Sequence, residues 1–553
     1  MKIKLVFLFF LLGFFAIIAR LFSLQVLQSH PLTQDYVNTT RVSPERGIIY
    51  DANHKILAAN EITYTVCAQP KLISDKQQFI NALDTVLHVG EATLSARYDD
   101  SKVWLAMARG VSNTQKMQLD AKHIPGICYE EERARYYPEA SLSAHLLGFV
   151  GKNSQGDPTG YFGIEGYYDT DLTGLPGILK SEQDLLGRPI FLGTQERISS
   201  ENGRNLILSI DASVQQIVKS NLIKGLQQYD VKQGCAIIAD PHTMAILALS
   251  CLPDFDPNSY YDASPSSFLN TAISSAYEPG STFKPLIVAA GIEEKVIKPD
   301  DIYDEAGPIQ IGKYSIRTWD NTYEGKISVT RLLEKSSNVG MVWIGSKLGD
   351  QKVYDYIQKY GFGKPTGIDL QGEASGYIRP KSDWYPVDYA TATFGQGIAV
   401  TPIQMIRALS AVINGGELLQ PYVVSEIDQN GEQKIRKKTV IRRVMSEQTS
   451  AMMRTMLVAV VEHGEVNWAR PAGYTFGGKT GTAQIPISGH YDASNTVASF
   501  MGFVPASNPK FIGMVILNSP HASQWGSETA APLFFSIAKD LLVYYNILPD
   551  KPE

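Results

Sequence analysis

The segment Ser281-Thr282-Phe283-Lys284 constrains this chain more than any other, because it leads directly into an apolar run from Pro285 to Gly291. Pro285 cannot donate a backbone hydrogen bond, so a helix through this run has to begin close to Ser281. Helix positions i and i+3 share one face, which places the Ser281 hydroxyl beside the Lys284 amine. A partly desolvated amine can act as the base for a serine nucleophile, although the same pattern also fits an ordinary capped, solvated helix.

A second motif, Ser336-Ser337-Asn338, follows the helical pattern of Ser328 to Lys335. The Ser336 hydroxyl could relay a proton, and the Asn338 amide can both donate and accept hydrogen bonds to a peptide backbone. Taken alone, this motif fits ordinary loop chemistry equally well. Its position downstream of a serine and lysine pair makes it a candidate part of the same site.

The third motif is Lys479-Thr480-Gly481-Thr482, in a glycine-rich stretch that begins at Gly477. Glycine allows a strand backbone to approach a ligand closely, and a cation flanked by hydroxyls suits a carboxylate. The order of the three motifs is the one typical of β-lactamases and penicillin-binding proteins. With Tyr277-Glu278-Pro279-Gly280 before the first motif, the chain resembles the penicilloyl serine transferases.

The N-terminal third extends this resemblance to the class B penicillin-binding proteins, which are peptidoglycan D,D-transpeptidases. It contains Arg46-Gly47-Ile48-Ile49-Tyr50-Asp51, Arg135-Tyr136-Tyr137-Pro138 and Gly163-Ile164-Glu165-Gly166, which are similar to motifs of their pedestal domain. The likeness covers roughly residues 40 to 545 and is closest to the septal, FtsI-like branch. Nothing in the pedestal resembles the signature of the glycosyltransferases found in bifunctional relatives.

The resemblance implies an α+β chain with a transmembrane helix, an elongated mixed pedestal and a C-terminal transpeptidase domain whose antiparallel sheet is flanked by helices. The 553 residues and 44% hydrophobic content suffice for more than one folded region. The expected divisions are a cytoplasmic N-terminus at 1–4, an anchor at 5–27, a dimerisation or pedestal domain at 40–200 and a transpeptidase domain at 205–545.

Local patterns predict individual elements. Apolar runs predict strands at Cys235 to Ala239, Ala245 to Ser250, Thr496 to Val504 and Phe511 to Asn518. A hairpin is expected around the polar turn Ala52 to Lys55, where Arg46 and Asp51 could form a surface ion pair. One helix is expected after Asp211 and through Leu226, and another over Ser527 to Tyr545.

The four cysteines are predicted to be unpaired. Cys67, Cys128, Cys235 and Cys251 lack metal-ligand or redox spacing. Cys235 and Cys251 flank the predicted turn from Asp240 to Met244, and a regular register would place them diagonally. His145 lies in an apolar stretch and is interpreted as a structural histidine.

The N-terminus predicts an uncleaved membrane anchor. Leu5 to Ala19 is unbroken apolar sequence, and the apolar character resumes after Arg20 and continues to Leu27. Ile17 breaks the small-x-small pattern of a cleavage site. Lysines before the helix favour a cytoplasmic N-terminus, with the catalytic domain in the periplasm of a single-pass protein of the bacterial inner membrane.

Charge argues against nucleic acid as a partner, because the net charge is −6 and no basic run is present. The resemblance implies no metal and no organic cofactor. It implies stem peptides ending in D-Ala-D-Ala as substrates, β-lactams as covalent inhibitors, and a membrane glycosyltransferase and division proteins as partners.

The resemblance also assigns roles to the motif residues. Ser281 attacks the penultimate carbonyl, Lys284 accepts its proton, and Ser336 relays a proton to the departing amine. A second set binds the substrate: Asn338, Lys479, Thr480, Gly481 and Thr482. The backbone N–H groups of Ser281 and Thr482 form the oxyanion hole.

Four alternatives stay open. The chain could cross-link the wall during elongation rather than septation, or act as a membrane-bound D,D-carboxypeptidase with water as acceptor. A β-lactamase needs a deacylating glutamate, and Glu373 stands in the comparable interval but is followed by Ala374-Ser375-Gly376-Tyr377. A non-catalytic scaffold or antibiotic sensor would have no need of the intact motifs.

Overall fold

The computed structural model describes residues 2–27, 37–182, 190, 195–487 and 490–551. The chain forms two compact units. One consists of Met1–Arg46 with Thr173–Gly203, and the other of Gly47–Leu172 with Arg204–Glu553. All three sequence motifs therefore belong to the larger unit.

The smaller unit contains the predicted anchor. An α-helix at Lys2–Phe22 continues as a π-helix at Ser23–Leu27, and the 23 residues Lys4–Val26 are long and apolar enough to cross a membrane. The most apolar window of this span is not buried in protein at all, as expected for a helix whose apolar surface meets lipid. The unit also has an antiparallel sheet of three strands, in the order Val37–Val42, Gly177–Glu182 and Gln195–Ile198.

The larger unit begins with the predicted hairpin. Strand Ile49–Tyr50 pairs antiparallel with the long strand Ile56–Ala68. The latter also pairs with two further strands, at Leu105–Val111 and Ile127–Tyr136. The other elements of this segment are helices at Lys76–Leu87, Glu91–Arg97, Asn113–Asp120, Ala144–Leu147, Gly163–Tyr167 and Asp169–Thr173, and a strand pair at Phe149–Lys152 and Pro158–Tyr161.

Asp51 is not the surface residue that the sequence suggested. Its side chain is buried, at 2% exposure. One carboxylate oxygen accepts hydrogen bonds from the backbone N–H groups of Asn53 and Lys55, and the other accepts one from Ala212 N. Backbone donors of this kind satisfy a buried carboxylate without a cation. Asp51 thus ties the hairpin turn to the start of the C-terminal region.

The hairpin and the start of the C-terminal region also share a sheet. Strand Asn205–Leu208 pairs in parallel with Ile49–Tyr50 and antiparallel with Val424–Gln429, which in turn pairs with Glu432–Ile435. Residues Gly47–Leu172 and the catalytic region are therefore joined by continuous backbone hydrogen bonding inside one compact unit.

The predicted antiparallel sheet is confirmed, with strands β1 (Gln233–Ala239), β2 (Ile246–Leu252), β3 (Gly477–Ile487), β4 (His490–Val504) and β5 (Phe511–Asn518) in the order β2-β1-β5-β4-β3. Both faces are covered. Along β5, Ile512, Met514 and Ile516 pack into one core, and Val515 and Leu517 pack into the other. Burial on both faces explains why these strands read as continuous apolar runs.

Helices flank this sheet. The ones used below are α1 (Ala212–Gln228), α2 (Lys284–Glu293), α3 (Val329–Glu334), α4 (Asn338–Leu348), α5 (Pro402–Ile413), α6 (Glu447–His463) and α7 (Ala530–Tyr544). Helices α1 and α7 cover one face and contribute to the core with Phe500. Helix α2 is buried from Lys284 to Ile292, as its apolar sequence from Pro285 to Ile292 requires. Shorter elements are helices Thr271–Ser274, Asp350–Lys359 and Pro386–Ala392 and strand pairs Ile302–Glu305 with Gly325–Ser328, Ile309–Ile311 with Tyr314–Ile316, and Glu417–Leu419 with Val440–Arg443.

The prediction of unpaired cysteines is wrong. Cys67 and Cys128 lie directly opposite each other on the paired strands Ile56–Ala68 and Ile127–Tyr136, and they form a disulfide with a Cα–Cα distance of 4.9 Å. The two cysteines are 61 residues apart in sequence, so no local pattern marks the pair.

A register shift explains the second disulfide. Ile238 of β1 pairs with Ala248 of β2, whereas the next residue, Ala239, pairs with Ile246. The extra residue in β2 is a bulge, which displaces the register by one position. Without the bulge, the Ala239–Ile246 pairing would place Ser250 opposite Cys235. With it, Cys251 lies directly opposite Cys235 rather than diagonal to it, and the two are bonded with a Cα–Cα distance of 4.1 Å.

We predict that the two disulfides contribute unequally to stability. In the chain-entropy description, closing the 61-residue loop stabilises the fold by about 4 kcal/mol and closing the 16-residue loop by about 3 kcal/mol. Denaturant unfolding of the detergent-solubilised chain should therefore show a larger loss for Cys67→Ala with Cys128→Ala than for Cys235→Ala with Cys251→Ala. Equal midpoints for the wild type and the first double variant would contradict this.

Candidate active site

The three motifs meet in one cleft between β3 and the helical part of the larger unit. Ser281 lies at the cleft surface, whereas Lys284 and Lys479 are buried beneath it, at 0% and 1% exposure. The residues that line the cleft are Gly280, Ser281, Trp319, Ser336, Asn338, Phe394, Gln396, Glu465, Thr480, Thr482 and Trp525.

The turn that carries Ser281 is held by two glycines in contact. Residues Gly280–Phe283 form a 3-10 turn that runs directly into α2. Gly280 has a φ of +55°, which glycine adopts without strain, and its N–H donates to Gly395 O over 3.0 Å. A Cβ on Gly395 would lie 2.3 Å from Gly280 O, so only glycine fits. The segment around Gly395 thus positions Ser281.

The Lys284 amine is enclosed by the second motif. Its Nζ lies 2.5 Å from Ser336 O, 3.1 Å from Ser336 Oγ and 2.8 Å from Asn338 Oδ1. Burial holds the pKa of Lys284 well below its ordinary value, and the charge of Lys479 lowers it further, whereas Glu465 and Glu305 oppose these effects. The neutral form of this amine, which can accept a proton, is therefore more accessible than in an exposed lysine.

The second motif has its own buried support. Ser336 has a φ of 60°, and the next residue, Ser337, caps α4 by accepting from Gly340 N over 3.0 Å. The Ser337 hydroxyl donates to buried Glu305, whose carboxylate also pairs with Lys335 Nζ at 2.7 Å. Glu305 is a positioning residue that sequence analysis missed. No spacing relates it to the motif, because strand pairing alone brings it there.

The third motif packs tightly against the turn that carries Ser281. A Cβ on Gly481 would lie 2.6 Å from Ser499 Oγ and 2.8 Å from Thr282 Cγ2, so this glycine permits the close approach. Lys479 Nζ lies 3.2 Å from both Thr480 O and Thr480 Oγ1. Burial lowers the pKa of Lys479 to about 8, against an opposing contribution from Glu465.

An aromatic pair spans one end of the cleft. The ring of Trp319 meets that of Trp525 edge to face, with 5.1 Å between centroids. Gly526, next to Trp525, donates its N–H to Thr482 Oγ1 over 3.0 Å, and a Cβ there would lie 2.4 Å from Gly481 O. The sequence carried no signal for Trp319, which is distant from every motif.

Two residues considered from the sequence lie outside this arrangement. His145 is buried, with Nε2 2.8 Å from Ser267 O, and burial lowers its pKa, as expected of a structural histidine. The Glu373 carboxylate accepts hydrogen bonds from Thr366 N at 2.6 Å and Gly367 N at 3.0 Å. Glu373 is thus bound within its own loop, and it is not among the residues that line the cleft.

Comparisons with known proteins agree with this geometry. The penicillin binding protein transpeptidase domain matches residues 234–542, and the penicillin-binding protein dimerisation domain matches residues 41–208. Stage V sporulation protein D of Bacillus subtilis (strain 168) is 34% identical over 100% of this chain and 87% of that protein. The peptidoglycan D,D-transpeptidase FtsI of Escherichia coli (strain K12) is 30% identical over 98% of this chain and 91% of that protein.

The fold of this chain is also similar to that of a solved penicillin binding protein. The crystal structure of penicillin binding protein 2X from Streptococcus thermophilus superposes with a TM-score of 0.76 at 25% identity, over 92% of this chain and 80% of that one. The matched domains extend over both the N-terminal region and the cleft described above. The chain therefore belongs to the class B penicillin-binding proteins and is a peptidoglycan D,D-transpeptidase.

Proposed function

We propose that Ser281 is the residue acylated by the stem peptide and that Lys284 is its general base. The observation that carries this assignment is the fully buried Lys284 amine, which is held by Ser336 and Asn338 in the cleft that Ser281 lines. A neutral lysine of this kind is suited to accept the proton of a serine hydroxyl.

Acylation then proceeds in two proton transfers. Ser281 Oγ bonds to the carbonyl carbon of the penultimate D-Ala while its proton passes to Lys284 Nζ. The C–N bond to the terminal D-Ala breaks, and a proton returns through the Ser336 hydroxyl to the departing amine. The backbone N–H groups of Ser281 and Thr482 hold the oxyanion between these events, a contribution of about 3 kcal/mol per donor.

Substrate binding falls to the remaining motif residues. Asn338 Oδ1 accepts from Lys284 and its Nδ2 donates to Arg317 O over 3.1 Å, which leaves one amide N–H for a peptide carbonyl. The Lys479 ammonium and the hydroxyls of Thr480 and Thr482 bind the terminal carboxylate. Gly481 contributes by letting β3 pack against the turn that carries Ser281, which keeps Thr480 and Thr482 beside that turn.

The same attack explains inhibition by β-lactams. Ser281 Oγ bonds to the lactam carbonyl carbon and the lactam C–N bond breaks, but the leaving amine stays tethered to the acyl group. It continues to occupy the place that an acceptor amine needs. The hydrogen bonds that hold Glu373 in its loop favour a transpeptidase over a β-lactamase with a deacylating glutamate.

We further propose a septal role in cell division. Relatives named FtsI support it, as do the size and the motifs of this chain. The similarity to stage V sporulation protein D supports a second candidate, wall synthesis during sporulation. A monofunctional cross-linker acts on newly made glycan, so a membrane glycosyltransferase and division proteins are the expected partners.

The expected topology places the catalytic unit outside the cytoplasm. Lysines precede the helix of spanning length, which favours a cytoplasmic N-terminus, residues 5–27 as an uncleaved anchor and a periplasmic catalytic domain. The matched segments support a pedestal at residues 40–200 and a transpeptidase domain at residues 205–545.

Ser281→Ala should abolish covalent labelling by penicillin, because Ser281 lines the cleft and precedes the buried Lys284 amine by three residues in the Ser281-Thr282-Phe283-Lys284 motif. Mass spectrometry of the intact chain and of its peptides measures the adduct. Ser275→Ala, six residues upstream, is the matched control and should label normally. An adduct on the folded Ser281→Ala variant would show that another residue is the nucleophile.

Lys284→Ala should slow acylation by about 10² to 10⁴, the usual contribution of general-base catalysis. Stopped-flow measurement of the acylation rate constant tests this, with circular dichroism to establish that the variant is folded. Lys347→Ala, which removes an exposed lysine of α4, serves as the control. A near-normal rate for the Lys284 variant would assign the base elsewhere.

Acylation by a carboxylate-bearing β-lactam should weaken as pH rises through about 8. The pKa of Lys479 is lowered from 10.5 to about 8, so its ammonium is charged below this pH and neutral above it. The measurement is the second-order acylation constant against pH. A β-lactam whose carboxylate is esterified is the control and should lack this alkaline limb, whereas identical profiles would contradict the role of Lys479.

Depletion of the protein from growing cells should give filaments blocked in septation. A chain that lacks residues 1–27 should fail to restore septa, because the cross-linker is then not held at the membrane. Microscopy distinguishes the candidates. Rounded cells with normal septa would assign the protein to elongation, and normal growth with defective spores would assign it to sporulation.

A further inference from the structure

Glu465 is fixed in position at the edge of the cleft. It follows Gly464, where a Cβ would lie 2.2 Å from Val460 O and 3.3 Å from Glu334 O, so glycine allows the backbone to pass close to α6 and α3. On its other side, Val466 is 2% exposed and belongs to the core between the sheet, α1 and α7. The backbone on both sides of Glu465 is therefore anchored, while its side chain faces the cleft.

Within the part of the chain that the structure describes, the Glu465 carboxylate acts on Lys284 and Lys479 through its charge, which opposes the lowering of their pKa values. No hydrogen bond or ion pair engages its carboxylate there, although it lines the cleft together with Ser281 and Ser336. The nearby carboxylates are already paired, Glu305 with Lys335 at 2.7 Å and Glu334 with Arg331 at 3.2 Å. A carboxylate held open at a catalytic cleft is complementary to a positively charged group.

The chemistry of the two substrates indicates which group this is. The donor strand presents a terminal carboxylate, which the negative charge of Glu465 repels. The acceptor strand of a cross-linking reaction presents an amine, which is an ammonium ion at neutral pH. The attraction of Glu465 is therefore selective for the second substrate and does not serve the first.

We propose that Glu465 binds the ammonium group of the acceptor stem peptide and so is a specificity residue for the second half-reaction. The inference rests on the proposed acylation of Ser281. The ammonium first loses one proton to solvent, and the resulting amine nitrogen bonds to the acyl carbon. The C–O bond to Ser281 breaks, and the second proton of the nitrogen passes through Lys284 to Ser281 Oγ, which restores the hydroxyl.

The experiment separates acylation from acyl transfer. The full chain in detergent reacts with a thioester donor that carries no cation, and the product is resolved with a soluble stem-peptide fragment whose side-chain amine is free. Glu465→Gln should raise the KM for this acceptor about fivefold, the upper range of one solvent-accessible ion pair. The rise should exceed any change in the acylation rate, and added salt should raise the KM of the wild type but not of the variant.

Two controls make the result specific. Glu432→Gln removes an exposed carboxylate of the same kind from the hairpin strand Glu432–Ile435, and its acceptor KM should equal that of the wild type. Hydroxylamine is uncharged at neutral pH, so transfer to it should be equally fast in the wild type and in Glu465→Gln. Glu465→Asp should retain part of the acceptor affinity, because it keeps the charge.

Three results would overturn the proposal. The first is an unchanged acceptor KM in Glu465→Gln. The second is an equal loss with hydroxylamine, which would mean that Glu465 acts through the lysines rather than on the acceptor. The third is a KM change that follows a side-chain amine on the donor, which would assign the ammonium to the first substrate. Acylation of Ser281 is measured independently, by detecting the covalent adduct. If no adduct forms, that result would reject the proposed nucleophile and not the role of Glu465.

Discussion

The catalytic cleft depends on the burial of one amine, that of Lys284, against Ser336 and Asn338. Removing an ammonium from water is costly, and three oxygen atoms around Nζ offset that cost without supplying a fixed negative charge. The amine is therefore more easily neutral than an exposed lysine would be. Helix α2 can carry this group because the rest of its buried length is apolar.

Electrostatic balance around that amine comes from three other charged groups. Lys479 disfavours a second positive charge, whereas Glu305 and Glu465 favour it. Glu305 is held by Lys335 and orients Ser337, so it acts on the motif through structure. Glu465 faces the open cleft, where an incoming substrate can reach it. The arrangement keeps one lysine suited to proton transfer and the other suited to anion binding.

The sequence predicts the parts of this structure that local chemistry determines. The three motifs, the central strands and the turn before β2 follow from periodicity and residue type, and the structure contains them. The contacts that hold the motifs together are not predictable in this way. Gly395 supports Ser281, and Trp319 meets Trp525, only because distant segments fold together. The Cys235–Cys251 disulfide was missed for a related reason, since one bulged residue in β2 changes which side chains are opposite.

The charge state of Lys284 tests the account most directly. Lysines labelled with ¹³C at the ε position can be titrated by NMR in the detergent-solubilised chain, and Lys284→Ala identifies the resonance. The account predicts that this lysine titrates well below the ordinary value of 10.5 and that its pKa changes when a β-lactam occupies Ser281. A Lys284 that titrates at 10.5, or that is unaffected by acylation, would contradict it.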